Sequence, residues 1–252
     1  ANNHILDFRE RGLRETLANL DRAGVASAGA GPDRDAALEP AVFDAGDLTV
    51  AIISLTDRRS AYAAGEYSPG TAYAPLDRSV GATRAIVRDT LDRVAAESDR
   101  IGATKPDLVV ASLHWGPNWE TSPSHTQQAF ARWLVEQGVD VVHGHSAHVL
   151  QGVEVYEGRP IIYDAGDFVD DYIHKDGVHN KRSALFELIV TDGRLEELRL
   201  VPVEIKNKAA SLADADVSRW VGETMRDRSE PFNTTVERTD DGVAVPLGDR
   251  GP

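Results

Sequence analysis

The chain has 252 residues, 41% of them hydrophobic, which is enough for one large α/β domain or two small ones and too apolar for a disordered segment. Forty-one Asp and Glu against 27 Lys and Arg leave a formal net charge of −14, which argues against nucleic-acid binding through phosphates, since no basic stripe is present to release counterions. Cysteine is absent, which excludes a disulfide framework and thiolate ligands, so any metal must be held by His, Asn, Asp or Glu. No run approaches the roughly 18 apolar residues of a membrane span. The acidic side is rich in Asp, and Lys occurs only at Lys105, Lys175, Lys181, Lys206 and Lys208. Such a solvated, Lys-poor surface suits high salt, and a GC-rich genome gives the same bias.

In chain order, Asp7 to Ala23 reads as a helix, with Leu13, Leu17 and Leu20 at i, i+4, i+7 and Gly24 as its stop. Val25 to Ala28 is a short strand candidate. Ala41 to Asp44 and Leu48 to Leu55 predict a hairpin around Ala45-Gly46-Asp47. A long loop with Gly and Pro fills Thr56 to Pro75. Arg78 to Arg100 is a second amphipathic helix, with Val80, Ala85, Val87, Leu91 and Val94 as inner positions. Asp107 to Leu113 is an apolar strand, Ser124 to Glu136 a helix stopped by Gly138, and Val139 to His143 the next strand.

The pattern then changes. Val153 to Tyr156 and Pro160 to Tyr163 flank Glu157-Gly158-Arg159, and Ala184 to Thr191 and Arg194 to Pro202 flank Asp192-Gly193, both hairpin signals. Asp214 to Arg228 is a last helix. Strand–helix units followed by antiparallel hairpins predict one domain with mixed sheets and helices outside. That domain is expected over residues 1–237, with a polar, loosely held tail over 238–252.

The chemistry gathers at strand ends. Val142-His143-Gly144-His145-Ser146-Ala147-His148 follows an apolar run, His114 closes Ser112-Leu113-His114, and His4 sits in Ala1-Asn2-Asn3-His4. A single His beside a strand is more often a satisfied core or capping group than a ligand. Five of eight histidines at three such places is a different matter, because neutral imidazole is a good borderline ligand and a divalent ion organises a crowd of them. His114, His145 and His148 each offer a nitrogen and Asn3 an amide oxygen. A two-ion centre would polarise a phosphoryl or carbonyl oxygen and activate a water, with His4 transferring a proton beside it. His125, His174 and His179 lack such context and read as surface residues. Trp115 and Trp119 either wall a pocket or simply pack.

Together with Gly12-Leu13, Thr16-Leu17, Ala23-Gly24, Gly29-Ala30-Gly31, Gln151 to Tyr156 and Gly166-Asp167-Phe168, these segments resemble the CapA family, the poly-γ-glutamate capsule synthesis proteins. The family belongs to the calcineurin-like metallophosphatase superfamily, and the match runs from Ala1 to about Pro202. The resemblance implies a four-layer α/β/β/α sandwich with a two-metal centre whose ions are Mn, Fe, Zn or Ca. It implies Asn3, His114, His145 and His148 as metal ligands and His4 as the catalytic proton-transfer residue. At Gly166-Asp167-Phe168, where relatives often have Gly-Asn-Phe, Asp167 either contributes a carboxylate or caps a turn. The family's first strand with its Asp motif, and a second acidic motif, are expected before Asn3, so the chain reads as an N-terminally truncated member in which metal binding is weakened. The implied partners are an anionic polymer or peptide substrate and membrane subunits of capsule synthesis. Three functions stay open: capsule or poly-γ-glutamate assembly with metal chemistry, a phosphoesterase or peptide epimerase on the same scaffold, and a non-catalytic assembly subunit.

Overall fold

The computed structural model describes residues 1–100, 105–171, 174–240 and 242–248. Its contacts divide the chain into two units, Ala1–Trp115 with His125–Val142, and Gly116–Ser124 with His143–Pro252. The architecture is mixed α/β throughout, as the sequence predicts.

In the first unit, helix α1 (Arg9–Arg22) buries Leu13 completely and ends at Gly24, whose φ of 67° places it in the left-handed region. The amide of Val25 reaches back to the Leu20 carbonyl at 2.9 Å, a closing bond of the Schellman type. Strand β1 (Ala30–Gly31) and helix α2 (Arg34–Leu38) follow, the helix capped by Asp33, whose Oδ1 accepts from the Ala36 amide at 2.9 Å. Strands β2 (Ala41–Ala45) and β3 (Leu48–Thr56) form the expected hairpin, and β4 (Gly70–Thr71) pairs with β1. After α3 (Gly81–Arg100), β5 (Leu108–His114) runs parallel to β3 from Val50↔Leu108 to Thr56↔His114. Helix α4 (His125–Glu136) leads to β6 (Val141–His145), and the amide of Asp140 binds the Val109 carbonyl at 2.8 Å, laying β6 beside β5.

Parallel strands covered on both faces read as continuous apolar runs, and here Ala51, Ile53, Leu55, Ala111 and Leu113 are all fully buried. Phe130 and Leu134 of α4 are equally buried, with the Trp115 and Phe130 rings edge to face at 6.5 Å. Burial of each large apolar side chain contributes roughly 1.5–3 kcal/mol.

In the second unit, β7 (Val153–Tyr156) and β8 (Arg159–Ile162) form a hairpin through Glu157-Gly158, both at positive φ. Strands β9 (Arg182–Thr191) and β10 (Arg194–Lys206) form a longer one through Asp192-Gly193, again both positive, as a two-residue turn of this kind requires. Strand β11 (Ala209–Leu212) folds back on β10. Helix α5 (Ala215–Ser229) starts at Asp214, whose Oδ1 accepts from the Asp216 and Val217 amides, and buries Val217, Val221 and Met225. Its last residue, Ser229, accepts the Val153 amide at 2.9 Å. Strands β12 (Glu237–Arg238) and β13 (Val243–Pro246) close the sheet, β13 pairing with β10. Among the described residues no helix is long and apolar enough to cross a membrane.

Three expectations are corrected. Val25 to Ala28 is not a strand; Val25 stands 51% exposed, and the strand of that region is the two-residue β1. Ala85 faces solvent, and the inner face of α3 is Thr83, Val87, Thr90, Val94 and Ser98. Apolarity alone misreads that face because Thr90 and Ser98 satisfy their hydroxyls on the carbonyls of Ile86 and Val94, both at 2.8 Å, and so bury at little cost. The stretch from Arg238 is not a loose tail up to Leu247: Val243 and Val245 are buried strand residues. Residues 249–252 of that expected tail lie outside the described residues.

Candidate metal centre

In the first unit, register fixes His114. It ends β5 directly opposite Thr56, the last residue of β3, and is 5% exposed. Its Nδ1 lies 3.1 Å from Thr56 Oγ1, while that hydroxyl spends its single hydrogen on the His114 carbonyl at 2.9 Å. Oγ1 also accepts the Arg58 amide at 3.0 Å. Toward the ring the hydroxyl is therefore an acceptor, so Nδ1 carries the proton and Nε2 the lone pair in the neutral ring.

His4 and Asn3 lie just before α1. The His4 amide donates to Asn2 Oδ1 at 2.6 Å, which ties the ring's backbone to a turn. His4 Nδ1 is 2.7 Å from Asp7 Oδ2, the two side chains being 52% and 46% exposed. A carboxylate only accepts, so this imidazole too holds its proton on Nδ1. Asn3 is half-buried.

In the second unit, His145 ends β6, and His148 follows in a strained turn in which Ser146 has φ 122° and His148 φ 61°. Non-glycine residues in such conformations persist only where their surroundings hold them. Here Asp164 Oδ2 accepts the Ala147 amide at 2.7 Å, the Ala147 carbonyl accepts the Trp119 amide at 2.8 Å, and Asp164 Oδ1 accepts the Gly166 amide at 2.9 Å. Burial pushes the Asp164 carboxyl up to about 7 in spite of those two amides.

His148 Nδ1 lies 2.7 Å from Asp167 Oδ1, with only 23% and 12% of the two side chains exposed. Burial opposes the charged imidazole, but the bond to Asp167 and the charges of Asp167, Asp164 and Asp170 hold its pKa above the ordinary value. Burial also raises the Asp167 carboxyl, with the His148 bond pulling it down and Asp170 pushing it up. Asp170 in turn pairs with Lys181. The Trp119 ring lies 5.4 Å from His148. His143 and His145 stack at 5.5 Å, and burial lowers the His143 pKa.

Three of the named histidines thus share one arrangement: Nδ1 is held by an oxygen, which in the neutral ring puts the lone pair on Nε2. An oxygen at Nδ1 fixes the orientation and tautomer of an imidazole that is to serve a metal or proton transfer. The donor chemistry fits a divalent ion, and Asp167 Oδ2 is buried without a hydrogen-bond partner among the described residues. The closed ligand set is another matter: among the described residues, no three His, Asp or Glu side chains gather into a group that could hold an ion.

Asp167 orients His148 through its Oδ1. Trp115 is core packing, whereas Trp119 lies beside His148. His125, His174 and His179 are exposed. Sequence reading missed Asp164 and Thr56. Asp164 left one signal, an acid directly after the buried run Ile161-Ile162-Tyr163; Thr56 left none.

The fold is mixed α/β, and residues 1–172 match the family of bacterial capsule synthesis protein PGA_cap. The chain belongs to that family, as its resemblance to CapA implies. It is 36% identical over 254 residues to a probable polyglutamine synthesis accessory protein of Mycobacterium tuberculosis, an alignment covering 96% of this chain and 64% of the relative. It is 30% identical over 206 residues to the capsule biosynthesis protein CapA of Bacillus anthracis, covering 82% of the chain and 47% of that protein. With the PGA biosynthesis protein CapA of Bacillus subtilis the figures are 27% over 207 residues, 81% and 50%. The chain therefore spans under two thirds of the first relative and about half of the two CapA proteins.

Proposed function

We propose that the protein serves bacterial capsule or poly-glutamate synthesis and carries a metallophosphatase-type metal site to which Asn3, His114, His145 and His148 contribute. The observation that supports this is the shared bracing of Nδ1 in His4, His114 and His148, which fixes ring orientation and tautomer as a ligand or a proton carrier requires. A divalent ion, when bound, supplies Lewis acidity toward a phosphoryl or carbonyl oxygen.

The chain's own residues do the rest. Thr56 and Asp167 orient His114 and His148 so that each presents Nε2. Asp164 fixes the strained turn that carries His148. His4, solvent-accessible and held by Asp7, takes or gives a proton at Nε2. The partners in this reading are the anionic polymer and the membrane subunits of its synthesis.

The test has two arms. Metal content of the chain after dialysis against Mn²⁺ should fall when His114 or His148 is replaced by Ala. In a capsule-forming bacterium lacking its own homologue, the full-length protein should restore polymer, and His4→Ala, with metal retained, should not. Unchanged polymer with all three replacements would overturn the metal reading in favour of an assembly subunit without turnover.

A further inference from the structure

A cavity of the second unit lies at the edge of β10, with no histidine among the described residues that line it. Strands β11 and β13 both pair with that edge, at Val203–Lys206 and at Glu197–Leu200. They leave a notch over Val201 and Pro202, and the cavity there measures about 460 Å³. The chain is pressed hard against its floor, since a Cβ on Gly242 would meet the Leu200 carbonyl oxygen at 2.2 Å and Pro202 Cδ at 2.7 Å. The Thr239 amide donates to the Gly242 carbonyl at 3.0 Å, which holds Arg238 and Thr239 at the wall. Arg238 also lines an adjoining cavity of about 60 Å³, together with Arg219 and Arg226 of α5.

Two features of this notch lack a structural use. Thr239 Oγ1 is buried with no hydrogen-bond partner, which is costly unless something from outside accepts from it. Arg238 has no ion-pair partner among the described residues, in a chain of net charge −14. Arg199, by contrast, is already matched: it bonds Glu197 at 3.1 Å and faces Glu187 across the ladder. Glu187 and Asp240 also line the cavity, and their charge opposes a second anionic group. The notch has room and unmet donors for one carboxylate.

We propose that this notch binds a free carboxylate of an acidic peptide chain, through the Arg238 guanidinium and the Thr239 hydroxyl. Only the choice of a glutamyl chain as occupant rests on the function proposed above. A chain this acidic repels a polyanion at long range, so contact needs a local cation that is not already neutralised, and Arg238 is one. The guanidinium fork suits a carboxylate in geometry as well as charge.

Isothermal titration of the chain with γ-linked tetraglutamate, with its counterpart in which each free carboxylate is a carboxamide and with free glutamate tests this. The tetraglutamate should bind at one per chain, weaken with salt, and lose about tenfold in affinity in Arg238→Gln and in Thr239→Val; the carboxamide counterpart should not bind. Thr239→Val should melt no lower than the parent, which shows that its loss is not unfolding. Equal affinity for free glutamate would keep the site and identify the single amino acid as its source. Tetraglutamate binding unchanged by both substitutions would overturn the notch while leaving the polymer function standing. No binding of any carboxylate probe would overturn the notch too. Failure of the functional reading shows separately, as capsule formation indifferent to the histidines.

Discussion

Replacing Asp164 with Asn tests the brace beneath the strained turn. Asp164 accepts two backbone amides, from Ala147 at 2.7 Å and from Gly166 at 2.9 Å, and is 1% exposed. Asn offers a single acceptor oxygen, so one amide loses its partner, at a cost of about 1–3 kcal/mol that does not vary with pH. The acid itself carries a cost that does. Burial lifts its pKa from an ordinary 3.8 to about 7, and at about 1.4 kcal/mol per tenfold in proton affinity the ionised form destabilises the fold by about 4 kcal/mol.

Because the folded pKa lies above the unfolded one, the stabilising contribution is complete below about pH 4 and is lost as pH rises through about 7. About 2 kcal/mol is gone at pH 5 and about 4 at pH 8. Urea unfolding of both proteins in chelator-containing buffer at those two pH values isolates the term. The free-energy gap should move in favour of the Asn variant by roughly 2–3 kcal/mol between pH 5 and pH 8. A gap that stays the same at both values would refute the assignment of a buried, proton-holding Asp164.

Three further outcomes are expected. Asp167→Asn removes the nearest of the three charges that support His148⁺ but not its burial, so the His148 pKa, followed by proton NMR titration, should fall. Thr56→Val leaves His114 Nδ1 without its acceptor; Mn²⁺ affinity should drop about 10- to 100-fold by equilibrium dialysis if His114 is a ligand. Gly152→Ala drives a Cβ to 2.0 Å from the Arg228 carbonyl oxygen at the end of α5, and thermal melting should show a loss of more than about 3 kcal/mol.

Much of the fold was legible because its signals are short-range. The Leu spacing of α1, the apolar run of β5, and the Glu157-Gly158 and Asp192-Gly193 turns each lie within a few residues, and each element forms where its pattern stands. Reading failed where a local cue was outvoted by packing. Val25 to Ala28 has strand composition but no neighbouring strand to pair with. Val243 to Pro246 sits in a polar stretch, yet it fills an open edge of β10.

For the candidate site, the sequence by itself determined which residues have the right chemistry: His4, His114, His145 and His148 at strand ends and turns, with no thiol to compete. Only the tertiary structure decided how those rings are held. Thr56 meets His114 across 58 residues, Asp167 meets His148 across 19, and Asp164 reaches Ala147 across 17. Which nitrogen keeps the proton depends on those distant oxygens. Hydrophobic periodicity places a side chain on a strand or a helix face, but a hydrogen-bond partner is chosen by the way strands come into register, and no local pattern encodes that choice.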